Sequence, residues 1–170
     1  MSKIEKPYRF NVGVALFNAE GHVFVGKAIE AGPERIAPGF EWQMPQGGID
    51  ENEDIIAAAL RELAEETGIT RATFLAATEV WWRYDFPDYT PTGHRLERFA
   101  GQQQRWVALR FLGKDSEINL SGTGADYVPE FSSWRWVSLA QAIAGVVDFK
   151  RPNYERAARA FAKFAEPILR

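Results

Sequence analysis

The first half of the chain opens with two runs in which apolar residues dominate at strand-like density. Asn11-Val12-Gly13-Val14-Ala15-Leu16-Phe17 and His22-Val23-Phe24-Val25-Gly26 are rich in β-formers and flank Asn18-Ala19-Glu20-Gly21, whose composition suits a tight turn, so the pair predicts a hairpin. The breakers Gly32-Pro33 and Pro38-Gly39 then make Ile29 to Glu41 a loop that leads into Trp42-Gln43-Met44-Pro45. From Asp54 to Glu66 the period changes: Ile55, Ile56, Ala59, Leu60 and Leu63 fall at helical spacing, and Gly68 stands where a left-handed C-terminal cap is wanted. The N-terminal end of this helix has two candidate caps, a capping box of Asp50 with Glu53 or Asn52 alone. Strand-like stretches follow at Phe74 to Tyr84, Gln103 to Leu112 and Ser133 to Val137, with a polar loop from Asp85 to Ala100. Ser138 is placed to cap a helix over Leu139 to Val146, and a last helix is expected from Asn153 to Phe164 after Pro152. Strands before and between helices predict an α+β fold in a three-layer sandwich.

Composition narrows the picture. With 170 residues, 46% of them hydrophobic, the chain is long enough for one sizeable core, so a single domain over 1–170 is expected, with residues 1–7 as a flexible polar tail. A net charge of −3 lacks the bulk basicity that drives non-specific nucleic-acid binding. The absence of cysteine excludes a disulfide framework, a thiolate metal site and a Cys nucleophile, and fits the cytoplasm. Neither a signal-like h-region nor an apolar run of membrane-spanning length is present, so no membrane association is expected, and no obligate protein partner is evident.

The chemistry lies in the spacing around the most regular helix. Gly47 is followed after five residues by Glu53, and after seven more by Arg61-Glu62-Leu63-Ala64-Glu65-Glu66-Thr67-Gly68-Ile69. At roughly 100° per residue, Glu62, Glu65 and Glu66 fall within an arc of about 100° beside the apolar stripe, so three carboxylates are expected to face one place. Grouping anions at the C-terminal end of a helix is unfavourable on its own, because they repel one another and meet the negative pole of the dipole. A hard cation such as Mg²⁺ would offset both, bridging carboxylates to substrate phosphates and activating water. Arg61 is expected to pair with Glu53 and brace the preceding loop, while Gly47 and Gly48 permit a close backbone path.

This spacing is identified as a Nudix box, and the similarity continues outside it. Tyr8 to Gly13, Trp42 to Ile49, Gly101 to Trp106, Pro129-Glu130-Phe131 with Trp134 to Val137, and Val147-Asp148-Phe149-Lys150-Arg151 resemble the RNA pyrophosphohydrolase and dinucleoside polyphosphate hydrolase branch of the Nudix hydrolases. The resemblance implies a Nudix fold, an α/β/α sandwich with a mixed β-sheet. It implies a role of the mRNA-decay type, namely Mg²⁺-dependent removal of pyrophosphate from 5′-triphosphorylated RNA, or asymmetric cleavage of substrates such as diadenosine tetraphosphate. Other nucleoside diphosphate derivatives, or nucleotide binding without turnover, are the alternatives. By position, Glu62, Glu65, Glu66 and Glu130 would serve catalysis and metal binding, with Gly47 in the metal site and Arg61 bracing it; which glutamate polarises water is left open. More than one Mg²⁺ would act with substrate bound, Mn²⁺ being a possible substitute. Arg9 and Lys150 would contact phosphates, and Phe149, Val147 and Tyr84 would hold the base of a nucleoside polyphosphate or RNA 5′ end. Departures from the bacterial RNA-processing members are Phe10 where they often have proline, a longer Ile29 to Glu41 loop, and Asp50-Glu51-Asn52, which is similar to the plant enzymes.

Overall fold

A computed structural model describes residues 5–29, 38–88, 93–122 and 125–169. Strands β1 (Tyr8–Phe17) and β2 (Val23–Ala28) form the expected hairpin. Asn18 fixes its turn: the side-chain Oδ1 accepts from the backbone N–H of Glu20 at 3.1 Å and of His22 at 2.9 Å. Gly21 closes the turn at φ 81°, a conformation that favours glycine.

The remaining strands are β3 (Trp42–Gln43), β4 (Gln46–Gly48), β5 (Ala72–Ala77), β6 (Trp82–Asp85), β7 (Gly101–Phe111) and β8 (Phe131–Val137). They join in one sheet whose main path is β3-β2-β1-β7-β5, with β4 also on β1, β6 on β7 and β8 on β2. Strands β1 and β7 run parallel, from Tyr8 opposite Gly101 to Phe17 opposite Arg110, whereas the other pairings are antiparallel. The sheet is therefore mixed.

Alternation along the central strands builds two cores. Val12, Val14 and Leu16 of β1 and Val107 and Leu109 of β7 face α1 (Ile55–Thr67), where they meet Ala58, Ala59 and Leu63. Ala15, Phe17, Trp106 and Ala108 point the other way, toward α2 (Leu139–Gly145) and α3 (Arg151–Phe161), and meet Ala142, Tyr154 and Phe161. Helices on both faces give the α/β/α sandwich. Trp106 occupies the space that a Cβ at Gly13 would need, so that glycine is required by packing. Trp134 and Trp136 pack around Phe24.

Several local expectations change. The cap of α1 is Asp54, whose carboxylate accepts from the N–H groups of Ile56 and Ala57 at 3.0 and 3.2 Å. Neither candidate cap serves. Asn52 takes φ 61° in the turn before the helix, and Asp50 and Glu53 close that turn through Glu53 Oε1 and the Asp50 N–H at 3.1 Å. Gly68 does cap the other end, at φ 70°. The apolar stripe is also rotated: Leu60 is exposed, while Glu66 is buried in line with Ala59 and Leu63. Phe74 to Tyr84 forms two strands: the Thr78 N–H still donates to the Trp106 carbonyl at 2.9 Å, but its own carbonyl leaves the ladder. The Thr78 Oγ1 accepts from Trp106 N–H at 2.9 Å and its carbonyl accepts from Arg105 Nε at 2.7 Å. α2 and α3 follow the expected caps, Ser138 with Gln141 reciprocally and Pro152 in the first turn, and α3 ends in a 3-10 turn over Ala162–Ala165.

Residues 30–37 of the anticipated Ile29 to Glu41 loop and 1–4 of the anticipated tail lie outside the described residues. Lys6 and Pro7 are held: Lys6 Nζ donates to the Glu97 carbonyl at 2.6 Å, and the Pro7 carbonyl accepts from Ala100 N–H at 2.9 Å. Among the described residues no helix is long and apolar enough to cross a membrane.

Candidate active site

One end of the sheet opens into a cavity of about 400 Å³ between α1, β4, the start of β1 and the segment before β8. Its floor is the Gly47–Gly48 dipeptide of β4, which pairs with Val12 and Asn11. A Cβ on Gly47 would overlap the Glu62 carboxylate, and one on Gly48 would overlap the Arg9 guanidinium. The two glycines therefore form a low ridge, with an acidic wall on the α1 side and a cation on the other.

Arg61 organises the acidic wall. Its Nε and Nη2 donate to the two carboxylate oxygens of Glu53 at 2.7 and 2.8 Å, Nη2 also donates to the Gly48 carbonyl at 2.8 Å, and Nη1 donates to Glu62 at 2.8 Å. Glu65 lies 3.4 Å from the same Nη1. The bidentate pair holds Glu53 down to a pKa of about 2, and it pushes that of Arg61 upward. The brace predicted between loop and helix is present, and it extends to the metal-ligand candidates.

The three helix glutamates share a face with graded exposure. The side chain of Glu65 is 54% exposed and that of Glu62 12% exposed. Glu66 is buried, and its Oε2 has no hydrogen-bond partner among the described residues. Burial pushes the Glu66 carboxyl well above its ordinary range, with repulsion from Glu62 and Glu130 adding to it. Burial also raises Glu62, against the pull of Arg61. Among the described residues no three acidic or histidine side chains form a ready-made metal cage, and Arg61 engages two of the three helix glutamates. Even so, a buried carboxylate with an unpartnered oxygen, beside Glu62 on the helix and coupled by charge to Glu130 on the same cavity, fits a hard divalent cation by chemistry and by charge. Glu130 is exposed on the opposite lip.

Across the ridge, Arg9 lines the cavity with Asn11 and Gln102. The remaining anticipated substrate residues stand behind this wall. Lys150 is 1% exposed and its Nζ donates to Gln43 Oε1, a cavity residue, at 3.2 Å. Tyr84 is buried and packs on Phe149 with ring centroids 5.9 Å apart, and its hydroxyl accepts from Gln46 Nε2 at 3.3 Å. Leu96 belongs to the same small cluster and also lines the cavity, so the Tyr84–Phe149 pair abuts the site from one side. Val147 is half-buried against the core under α2 and α3.

The structure adds residues that pattern reading did not single out. Asn11, Gln43, Gln46 and Gln102 are spread over four strands and carry no spacing signature; their common trait is an amide inside an otherwise strand-like run. Arg95 and Leu96 come from the polar loop after β6. Tyr127 also lines the cavity, and burial together with the nearby Glu66 raises its phenol pKa.

Comparison with known proteins agrees with this geometry. The NUDIX domain pattern matches residues 7–161. An RNA pyrophosphohydrolase of Acidiphilium cryptum is 48% identical over 94% of this chain and 93% of its own length. One of Caulobacter vibrioides is 45% identical over 97% of this chain and 92% of its own. Among solved structures, a C. elegans Ap4A hydrolase superposes with a TM-score of 0.58 at 18% identity, covering 90% of this chain and 98% of that one. The E. coli dihydroneopterin triphosphate pyrophosphohydrolase superposes at 0.59 and 18%, covering 89% and 97%; at such identities the likeness is one of fold. Nudix hydrolases generally use divalent metal ions, in keeping with the acidic wall. With the box residues gathered around Arg61 and the sequence kinship running nearly end to end, the chain belongs to the Nudix family and is a hydrolase of phosphoanhydride bonds.

Proposed function

We propose that this chain, acting as one catalytic unit in the cytoplasm, removes pyrophosphate from 5′-triphosphorylated RNA, and that dinucleoside polyphosphates such as diadenosine tetraphosphate are cut asymmetrically at the same site. The observation that carries the substrate assignment is the near end-to-end identity of 43–48% to relatives named RNA pyrophosphohydrolase. The dinucleoside reading is favoured by Asp50-Glu51-Asn52, which is similar to the plant enzymes.

In this reading Glu62, Glu65, Glu66 and Glu130, with the Gly47 backbone beside them, hold Mg²⁺, or Mn²⁺ in its place, and more than one ion is present with substrate bound. When bound, the metal supplies positive charge against the phosphates and lowers the pKa of a coordinated water. The protein does the rest. Arg61 keeps Glu62 and Glu65 in place and ties them to the β4 backbone, so the acidic wall does not reorganise during reaction. A carboxylate of this cluster takes the proton of the attacking water, and burial raises the proton affinity of Glu66 within it. Water adds to phosphorus, the anhydride bond between the first and second phosphates breaks, and pyrophosphate departs with the electron pair. Arg9 neutralises non-bridging oxygens across the ridge, Lys150 supports it through Gln43, and the Tyr84–Phe149–Val147 side receives the first base.

The test is release of pyrophosphate from triphosphorylated RNA in competition with diadenosine tetraphosphate, each with Mg²⁺. Faster turnover of the RNA is expected. A preference of tenfold or more for the dinucleotide would reverse the assignment, and activity on neither substrate would sink it.

A further inference from the structure

Beneath the cavity lies a chain of buried amides whose direction is fixed from its far end. Asn153 on α3 is 1% exposed; its Oδ1 accepts from Arg156 Nη1 at 3.1 Å. Its Nδ2 donates to the Trp82 carbonyl at 3.4 Å and to Gln104 Oε1 at 3.3 Å. A guanidinium only donates and a carbonyl only accepts, so the two ends of the Asn153 amide cannot be exchanged. Gln104, 1% exposed, must then turn its Oε1 to Asn153 and its Nε2 to Asn11 Oδ1 at 2.7 Å and Gln46 Oε1 at 3.3 Å. With its oxygen committed, Asn11 is left presenting Nδ2. That atom is buried in a residue that lines the cavity, and it has no hydrogen-bond partner among the described residues. Leaving a buried donor unmade is costly, so the working state should supply an acceptor.

We propose that Asn11 Nδ2 donates to a phosphate oxygen of the bound 5′-polyphosphate, and that Gln104, Asn153 and Arg156 are positioning residues that set its polarity from α3. This rests on the reading above, in which a polyphosphate fills the cavity. Arg9 lies two residues away on the same strand face, opposite Gln102 in the parallel register as Asn11 is opposite Gln104. A ligand group that satisfies a guanidinium and an amide N–H side by side is an anionic oxygen, which only accepts. The reversed amide would present Oδ1 and repel it. The buried chain thus makes the cavity wall a donor, with the determinant residing on a helix that does not line the site.

Two isosteric variants and one spectroscopic measurement test this. N11D keeps the acceptor for Gln104 and removes the donor. N153D keeps the acceptor for Arg156 but withdraws the donor from Gln104, so the Gln104 and Asn11 amides turn over, and the new charge lies beside Arg156 instead of in the cavity. A contact to a non-reacting oxygen is made equally in the ground and transition states, so both variants should raise KM for triphosphorylated RNA tenfold or more and change kcat less than threefold. In the wild type, the Asn11 side-chain amide proton resonance should move downfield on saturation with a methylene-bridged guanosine triphosphate, and in N153D it should not. KM within threefold of wild type in folded variants, even with a lowered melting temperature, marks a structural role and overturns the proposal. So does a wild-type Asn11 amide that ignores the analogue, a result available even if N153D does not fold. A wild-type chain that neither hydrolyses the RNA nor binds the analogue refutes the functional reading as well, whereas active enzyme with a silent Asn11 refutes this inference alone.

Discussion

Gly47→Ala should separate activity from stability. Gly47 is absent from the positive-φ residues, so alanine meets no backbone strain there, and the conflict is between the new methyl group and the Glu62 carboxylate. The obstructing atoms are the far end of a side chain that is anchored by Arg61 Nη1 at 2.8 Å. Moving that end aside loses one charge-assisted bond at a partly exposed site, so the destabilisation should be about 1 kcal/mol, or a fall in Tm of about 2–4 °C for a chain of this size. Catalysis should suffer far more. A displacement of about 1 Å in a positioning group can cost ~10²-fold in rate, and Glu62 cannot be displaced without disturbing the Arg61 contacts to Glu65 and Gly48. Initial rates of pyrophosphate release at saturating Mg²⁺, alongside thermal melts of the same preparations, check this. A rate within threefold of wild type would refute the claim that the ridge positions the acidic wall; a Tm loss of about 10 °C or more would show instead that Gly47 is needed by the fold.

Glu66→Gln should lower kcat by about 10³-fold or more. The metal-free variant should be at least as stable as wild type at pH 8, because it removes a buried charge. Glu66 has a raised pKa in the fold, so the stability it contributes is complete below the ordinary carboxylate range and is lost as pH rises through the raised value. The stability gap between variant and wild type should therefore close on acidification, as denaturant melts at several pH values would reveal. Glu53→Gln has the opposite sign. Glu53 is held at about 2, so its contribution is complete above about 4.5 and fades as pH falls toward 2. After allowing for the solvent-facing side of the pair, a loss of about 2 kcal/mol at pH 7 is expected, shrinking below pH 4.5; a pH-independent difference would contradict the pairing. Asp54→Ala should cost about 1 kcal/mol by loss of the α1 cap, with KM unchanged.

Much of the fold was legible because periodicity and punctuation agree. Val12, Val14 and Leu16 alternate with Ala15 and Phe17, and Gly68 and Ser138 end or begin helices where their conformations require. Failures came where tertiary contacts compete with local preference. Asp50, Asn52 and Asp54 are all competent caps, and the choice among them is made by where Arg61 draws Glu53. Thr78 reads as a strand residue, yet its carbonyl leaves the ladder for Arg105. At the site, the box spacing placed Glu62, Glu65 and Glu66 on one face but could not foretell that Glu66 lies in the core and Leu60 outside it. The amides of Asn11, Gln46, Gln104 and Asn153 were illegible, because their meaning depends on pairings between strands and a helix far apart in sequence.

The parallel pairing of β1 with β7 also sets an order of events during synthesis. The Arg9 and Asn11 wall needs Gln102 and Gln104 beside it, and its polarity needs Asn153. At about 5–20 residues per second, β1 waits several seconds or more for its partner to be made, and longer for α3. Loop-closure entropy makes that long-range contact a late one as well. The acidic helix α1, by contrast, can form from local contacts soon after it emerges. A nascent chain would thus carry the glutamates early and the phosphate-facing wall last, so that hydrolysis begins only when the fold is complete.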